Sequence, residues 1–114
     1  ITGRSSDSVL RRAGELGIEH LVQGREDKLT ALRELCERCE VSPQDCAYMG
    51  DDLPDLAAIA AAGLGMTVAD GAGAVRAAAD WCSEAAGGAG AVREACEFIL
   101  TAQGHLEQLE GDYR

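Results

Sequence analysis

Short apolar segments alternate with helix-like segments along this chain, and that alternation limits the fold more than any other feature. Apolar residues recur at helical spacing in the longer segments, the first of which carries Val9, Leu10, Ala13 and Leu16. Strands that alternate with helices pair in parallel and are joined by right-handed crossovers. The sequence therefore predicts an α/β protein with an open, doubly wound (Rossmann-like) parallel sheet.

The same periodicity and the turn signals give the predicted elements. The predicted helices are residues 6–17, 28–40, 54–63, 72–80 and 91–103. The predicted strands are residues 18–22, 46–50, 64–70 and 81–84, and Ile1 is predicted to end a further strand. Strand 46–50 is expected to be buried, and the last helix is expected to have an apolar face of Val92, Cys96, Ile99 and Leu100.

Length and charge restrict the function. A chain of 114 residues with 46% hydrophobic residues is one globular domain or a piece of one. We predict a core over residues 1–104 and a polar C-terminal tail over residues 105–114. The net charge of −10 repels nucleic acid and anionic membrane surfaces, so neither is an expected partner. The longest weakly polar run is interrupted at Gly63 and Gly65, which makes it a poor membrane span.

The five cysteines indicate a reducing compartment. Their number is odd and no signal peptide precedes them, which favours free thiols in the cytoplasm over a disulfide framework. Cys36 and Cys39 resemble half of a zinc site, but the sequence offers no second pair. Cys36 continues the apolar face of helix 28–40, and we predict that both are small core residues.

Three acids, Asp51, Asp52 and Asp55, follow the predicted strand 46–50. Acids are frequent where a strand ends and a helix begins, because a carboxylate accepts hydrogen bonds from free backbone N–H groups of the first turn. Adjacent carboxylates also suit a hard cation such as Mg²⁺, which is held by one or two carboxylates with phosphate and water. On the motif alone, a solvated cap and a metal site both remain open.

Other polar residues are predicted to lie at the same edge of the sheet, because ligands of open α/β sheets bind beyond the carboxyl ends of the strands. Thr2 and Arg4 follow Ile1, and Lys28 follows the predicted strand 18–22. The two cations supply the local positive charge that a phosphate ligand would need in an acidic protein.

These residues resemble the motifs of a known superfamily. The stretch "ITGR", the lone Lys28 opening a helix, and "GDDLPDL" resemble the second, third and fourth motifs of the haloacid-dehalogenase superfamily of aspartyl phosphatases. The blocks "LGIEHLVQGREDKL", "AYMGDDLPDL", "AGGAGAVREACEFIL" and "TAQGHLEQLEG" resemble its small, cap-less branch, the 3-deoxy-D-manno-octulosonate 8-phosphate phosphatases. The likeness runs from Ile1 to about Gly111.

The resemblance implies a role for each matching residue. Asp51 would bind Mg²⁺, with Asp52 and Asp55 in supporting roles near the metal and Lys28. Lys28 would hold the nucleophile and the phosphate, and Thr2 would donate a hydrogen bond to the transferring phosphoryl group. The implied substrate-binding residues are Gly3, Arg4, Gly87 and Gly88. The resemblance also implies a homotetramer whose C-terminal tails reach a neighbour's active site.

The implied activity is Mg²⁺-dependent hydrolysis of 3-deoxy-D-manno-octulosonate 8-phosphate through an aspartyl-phosphate. The superfamily's first motif, which carries the nucleophile, is absent from these 114 residues, and we expect it on an upstream strand. Ser5 and the terminal "GDYR" also depart from the family pattern. The alternatives are a nonulosonic acid 9-phosphate phosphatase and a non-catalytic oligomerisation domain of the same fold.

Overall fold

The computed structural model describes residues 1–3 and 5–104. Arg4 and the predicted tail, residues 105–114, lie outside the described residues. Within them, three parallel strands form one sheet in the order β1 (Ala47–Met49), β2 (Leu64–Thr67) and β3 (Trp81–Cys82). Tyr48 pairs with Gly65, and Met66 pairs with Trp81. The parallel sheet confirms the predicted α/β class.

Five helices connect or flank these strands: α1 (Asp7–Glu15), α2 (Lys28–Arg38), α3 (Leu56–Ala61), α4 (Gly73–Ala78) and α5 (Ala91–Ala102). Helix α1 begins where the Ser6 side chain accepts a hydrogen bond from the Val9 N–H. A 3₁₀ turn, Leu53–Asp55, contains Pro54 and leads directly into α3. Proline fits this first turn because its missing N–H would have no partner there. Helices α3 and α4 form the crossovers of the parallel sheet.

The prediction of a strand at residues 18–22 is wrong, because these residues form no strand in the structure, whereas the strand predicted to end at Ile1 stays a prediction, since Ile1 is its only residue in this chain. The two segments nevertheless run beside each other. The Thr2 N–H donates to the Val22 carbonyl at 2.8 Å, and the Arg25 N–H donates to the Thr2 carbonyl at 3.2 Å. Two such bonds join the segments without making the repeated ladder that defines a strand.

Strand β1 is less buried than predicted. Ala47 is exposed, and Tyr48 and Met49 are half-buried. The reason is position, because β1 is an edge strand among the described residues, whereas β2 lies between two strands and buries Gly65, Met66 and Thr67. A continuous apolar run predicts a strand but does not show which of its sides is covered.

The hydrophobic core beside β1 is formed by α2 and α3. Leu32, Cys36 and Ala58 are buried together, and Ile1, Cys46 and Tyr48 pack against them. The core position of Cys36 is confirmed, and burial raises the pKa of its thiol. The prediction for Cys39 is wrong. This residue follows the end of α2, is exposed, and lies 3.7 Å from His20 Nε2 through its Sγ.

Two helices cover different faces from those the sequence predicts. In α1 only Ala13 is buried, while Val9, Leu10 and Leu16 are 41%, 57% and 57% exposed. In α5 the buried residues are Ala91 and Ala95; of the predicted face, Ile99 and Leu100 are half-buried, and Val92 and Cys96 face solvent. Periodicity shows which residues share a face, but the neighbouring elements decide which face is covered. Phe98 of α5 stacks on Trp81 of β3 with ring centroids 5.1 Å apart.

No helix in the described part of the chain is long and apolar enough to cross a membrane.

The turn between α3 and β2 gives a test of this packing. A Cβ on Gly63 would overlap the carbonyl oxygen of Gln44, which is backbone and cannot rotate away. We therefore expect Gly63→Ala to lower the free energy of unfolding by about 1–3 kcal/mol, measured by denaturant titration. The matched control is Gly14→Ala in α1, where a Cβ would meet nothing within 4 Å and alanine favours the helix. Equal stability of the two variants would contradict the predicted clash.

Candidate active site

The acidic turn after β1 is organised by Asp55. Its side chain is 4% exposed, and its Oδ2 accepts hydrogen bonds from the backbone N–H groups of Asp51 at 3.1 Å and Asp52 at 3.2 Å. The Asp52 carboxylate in turn accepts from the Leu53 N–H at 2.8 Å. Asp52 and Asp55 also form a capping box, in which each side chain accepts a hydrogen bond from the backbone N–H of the other residue. Two of the three acids therefore satisfy the start of the helix, as the capping interpretation requires.

Gly50 makes this turn possible. A Cβ at Gly50 would overlap the carboxyl group of Asp55, so the side chain folds back into space that only glycine leaves open. The Gly50 N–H continues the sheet by donating to the Met66 carbonyl at 3.1 Å. The Asp55 carboxylate is therefore packed directly against the carboxyl end of β1.

Asp55 also receives two side-chain donors. Lys28 Nζ lies 2.9 Å from Asp55 Oδ1, with the two side chains 16% and 4% exposed, and the Tyr48 hydroxyl donates to the same oxygen at 2.7 Å. Burial alone would raise the pKa of the Asp55 carboxyl, but the hydrogen bonds from Lys28 and Tyr48 outweigh it and hold that pKa below its usual value. Burial and the bond to Asp55 raise the pKa of the Tyr48 phenol. Asp55 is an anion and Tyr48 is neutral at physiological pH.

The loop before Lys28 is fixed by Arg25. Its guanidinium makes two hydrogen bonds to Asp27, both 2.7 Å, and another to Glu34 of α2 at 3.1 Å. The Arg25 N–H bonds to the Thr2 carbonyl, as described above. A Cβ on Gly3 would lie 3.4 Å from Cγ of Glu26, so Gly3 borders the same loop. The structure therefore places the Thr2–Gly3 segment beside the loop that carries Lys28.

Asp51 differs from Asp55 because it is exposed, and its carbonyl accepts a hydrogen bond from the Ala72 N–H at 2.9 Å. An exposed carboxylate suits Mg²⁺, which keeps several waters and takes one or two protein carboxylates. The described residues contain no cluster of three or more acidic, histidine or cysteine side chains that could hold a metal. Asp51 thus fits Mg²⁺ as one ligand of a site that water, phosphate or other groups would complete.

The glycine-rich loop, residues 84–90, reaches the same edge of the sheet. The Gly87 N–H donates to Asp70 Oδ1 at 2.8 Å, and Asp70 lies in the turn after β2 that also contains Ala72. Gly88 and Gly90 have φ of 78° and 95°, a conformation that glycine adopts readily. Through these contacts the structure connects Gly87 and Gly88 with the turn that holds Asp51.

Three residues with contacts at or beside the candidate site are absent from the sequence predictions: Tyr48, Asp70 and Glu94. Asp70 could have been chosen, because it follows β2 at the carboxyl edge. Tyr48 and Glu94 carry no such signal in the sequence. In the structure Arg93 pairs with Glu97 at 3.2 Å, and Glu94 binds backbone amides.

Comparison with known proteins gives a consistent family. Residues 2–94 match the model of the haloacid dehalogenase-like hydrolases. The 3-deoxy-D-manno-octulosonate 8-phosphate phosphatase KdsC of Escherichia coli K12 is 43% identical over 111 residues, which are 97% of this chain and 59% of that protein. The chain thus spans 59% of the length of this curated relative.

Solved structures agree with this match. The 3-deoxy-D-manno-octulosonate 8-phosphate phosphatase of Moraxella catarrhalis, in complex with a magnesium ion, a phosphate ion and a KDO molecule, is 49% identical with a TM-score of 0.96. The likeness covers 100% of this chain and 66% of that one. The cobalt-bound phosphatase of Haemophilus influenzae is 40% identical with a TM-score of 0.88, covering 91% of this chain and 61% of that one.

The ion pair gives a prediction about stability and pH. Asp55→Asn would leave the Lys28 charge buried without its partner, and we expect the free energy of unfolding at pH 7 to fall by about 3 kcal/mol or more. Because the pKa of Asp55 is lowered in the folded state, its stabilising contribution is present above its usual pKa of 3.8 and is lost as the pH falls through the folded value. The difference in the free energy of unfolding between wild type and Asp55→Asn should therefore become smaller at acidic pH.

Denaturant titrations at pH 7 and at pH 3 provide this measurement. Asp52→Asn is the matched control, because Asp52 is exposed and asparagine also caps helices well. If the free energies of unfolding of wild type and Asp55→Asn differed by the same amount at both pH values, Asp55 would make no such contribution.

Proposed function

The chain belongs to the haloacid dehalogenase-like hydrolases, and we propose that it acts in a Mg²⁺-dependent phosphatase that hydrolyses 3-deoxy-D-manno-octulosonate 8-phosphate to the sugar acid and phosphate. One observation carries this proposal. The turn after β1 carries the exposed Asp51 carboxylate and the buried Asp55, which pairs with Lys28 at the start of α2. A fixed cation and a metal-binding carboxylate are the two kinds of group that phosphoryl transfer requires.

Each candidate residue has a role in this proposal. Asp51 would hold Mg²⁺, which supplies charge stabilisation for the phosphoryl oxygens. Lys28 presents its ammonium to the phosphate, while Asp55 orients that ammonium and Asp52 closes the turn. Thr2 donates a hydrogen bond to the phosphoryl group. Gly3, Arg4, Gly87 and Gly88 border the substrate.

The substrate and metal are supported by the relatives. The Moraxella catarrhalis structure contains magnesium, phosphate and KDO, and its likeness covers this entire chain. The curated relatives are longer than the matched region, and we propose that the nucleophilic aspartate lies in a part of the enzyme outside these 114 residues. Its carboxylate would attack phosphorus while the ester P–O bond breaks and a general acid, also outside these residues, gives a proton to the leaving sugar oxygen. Water would then hydrolyse the aspartyl-phosphate, which releases phosphate and restores the carboxylate.

We also propose that the enzyme is a cytoplasmic homotetramer. Its cysteines are free in the described residues, which fits a reducing compartment. Val92 and Phe98 of α5 are 68% and 39% exposed, which gives a partner subunit apolar surface to contact. Light scattering of the full-length protein at micromolar concentration should give the mass of four chains, and the mass of one chain would contradict the tetramer.

The proposed reaction predicts substrate selectivity. Full-length protein with Mg²⁺ should release phosphate from 3-deoxy-D-manno-octulosonate 8-phosphate faster than from a nonulosonic acid 9-phosphate, with turnover abolished by a chelator. Faster phosphate release from the nonulosonic acid 9-phosphate would show that the nonulosonic ester is the preferred substrate and would contradict the proposed one. No turnover of either ester would favour a non-catalytic oligomerisation domain.

Asp51→Asn tests the metal ligand in the same assay. We expect turnover to fall by a factor on the order of a hundred or more, because a metal-stabilised transition state is lost. Folding should change little, since Asp51 is exposed and its backbone contacts remain. Asp45→Asn is the control, an exposed acid before β1 at the opposite end of the strand. Wild-type turnover with normal Mg²⁺ dependence in Asp51→Asn would remove Asp51 from the site.

A further inference from the structure

The side chain of Glu94 bridges α5 and the glycine-rich loop. Its two carboxylate oxygens accept hydrogen bonds from successive backbone amides, Glu84 N–H at 2.8 Å and Ala85 N–H at 3.0 Å. Hydrogen bonds with an ionised acceptor are stronger than neutral ones. One half-buried carboxylate therefore fixes the point at which the chain leaves β3.

A second carboxylate holds the middle of the same loop. Asp70 accepts from the Gly87 N–H at 2.8 Å, and the Ala69 N–H donates to the Ala85 carbonyl at 3.4 Å. Two acids from different elements thus bind three amides of one loop. Glu94 comes from α5, and Asp70 comes from the turn after β2.

This double attachment joins the loop to the candidate active site. The turn that carries Asp70 also carries Ala72, whose N–H donates to the Asp51 carbonyl at 2.9 Å. We infer that Glu94 and Asp70 are positioning residues that hold the glycine-rich loop against the substrate beside Asp51. The inference rests on the proposed function, because it assigns the loop to the sugar-acid part of that substrate.

The exposure of the loop explains why it needs these contacts. Residues 87–90 are all exposed, so packing does not determine their conformation. Glycine has more conformational freedom to lose than any other residue, and the loop contains three glycines. Hydrogen bonds from outside the loop can supply the order that a substrate-binding surface requires, because small displacements of a bound substrate slow its reaction.

Glu94→Gln in the full-length protein tests the inference. Glutamine keeps one acceptor but turns an amide donor toward a backbone N–H, so one of the two bonds is lost. We expect kcat/KM for the sugar-acid phosphate to fall about tenfold, mainly through KM, with kcat/KM for p-nitrophenyl phosphate unchanged. The smaller ester has no sugar acid for the loop to contact. Glu97→Gln is the control, because Glu97 lies on the same helix and pairs with Arg93 at the surface.

Amide hydrogen exchange provides a readout that does not need turnover. Exchange at Glu84 and Ala85 should accelerate in Glu94→Gln, and exchange at Gly87 should accelerate in Asp70→Ala, with both rates unchanged in Glu97→Gln. Unchanged exchange would overturn the inference. An equal loss of activity on both esters, or no loss on either, would overturn it too. If wild type hydrolyses neither ester, the proposed function fails, and the exchange rates alone decide whether the two carboxylates hold the loop.

Discussion

The buried ion pair between Lys28 and Asp55 is the contact on which the candidate site depends. It joins the first residue of α2 to the turn after β1, and the same carboxylate orders the amides of Asp51 and Asp52. A buried pair adds little net stability relative to apolar packing, but losing one partner is costly because the other charge stays buried. The pair therefore specifies the relative positions of α2 and the acidic turn more than it stabilises the fold.

Much of the fold could be predicted because its signals are local. The apolar runs and turn residues around β1, β2 and β3 lie within a few positions of each element, and the Lys28–Arg38 helix shows its apolar face directly in the sequence. Burial could not be predicted in the same way. Whether residues 18–22 form a strand, or whether Val92 faces the core, depends on which elements lie beside them, and periodicity carries no such information.

In the candidate site, too, local features could be predicted from the sequence, and contacts that depend on the fold could not. Asp51, Asp52 and Asp55 are a local cluster, and sequence reasoning found them together with Lys28, although the hydrogen bond between Lys28 and Asp55 spans 27 positions. The contacts of Tyr48 and Glu94 could not be predicted, because only the folded chain brings each side chain close to its hydrogen-bond partners. Glu94 binds backbone amides ten and nine positions away, so no pattern of side-chain types marks it.

Positions 50 and 51 are neighbours in the chain, but different physical constraints limit which amino acids each can accept. Every other amino acid carries a Cβ, which would overlap the Asp55 carboxyl group at this point of the turn. Position 50 is thus restricted by shape, whatever the chemistry of the substituent. Asp51, next in the chain, is exposed and sterically open, so only its carboxylate chemistry restricts it. A new specificity could evolve through the exposed loop, residues 87–90, whereas a change at position 50 would first have to rebuild the turn.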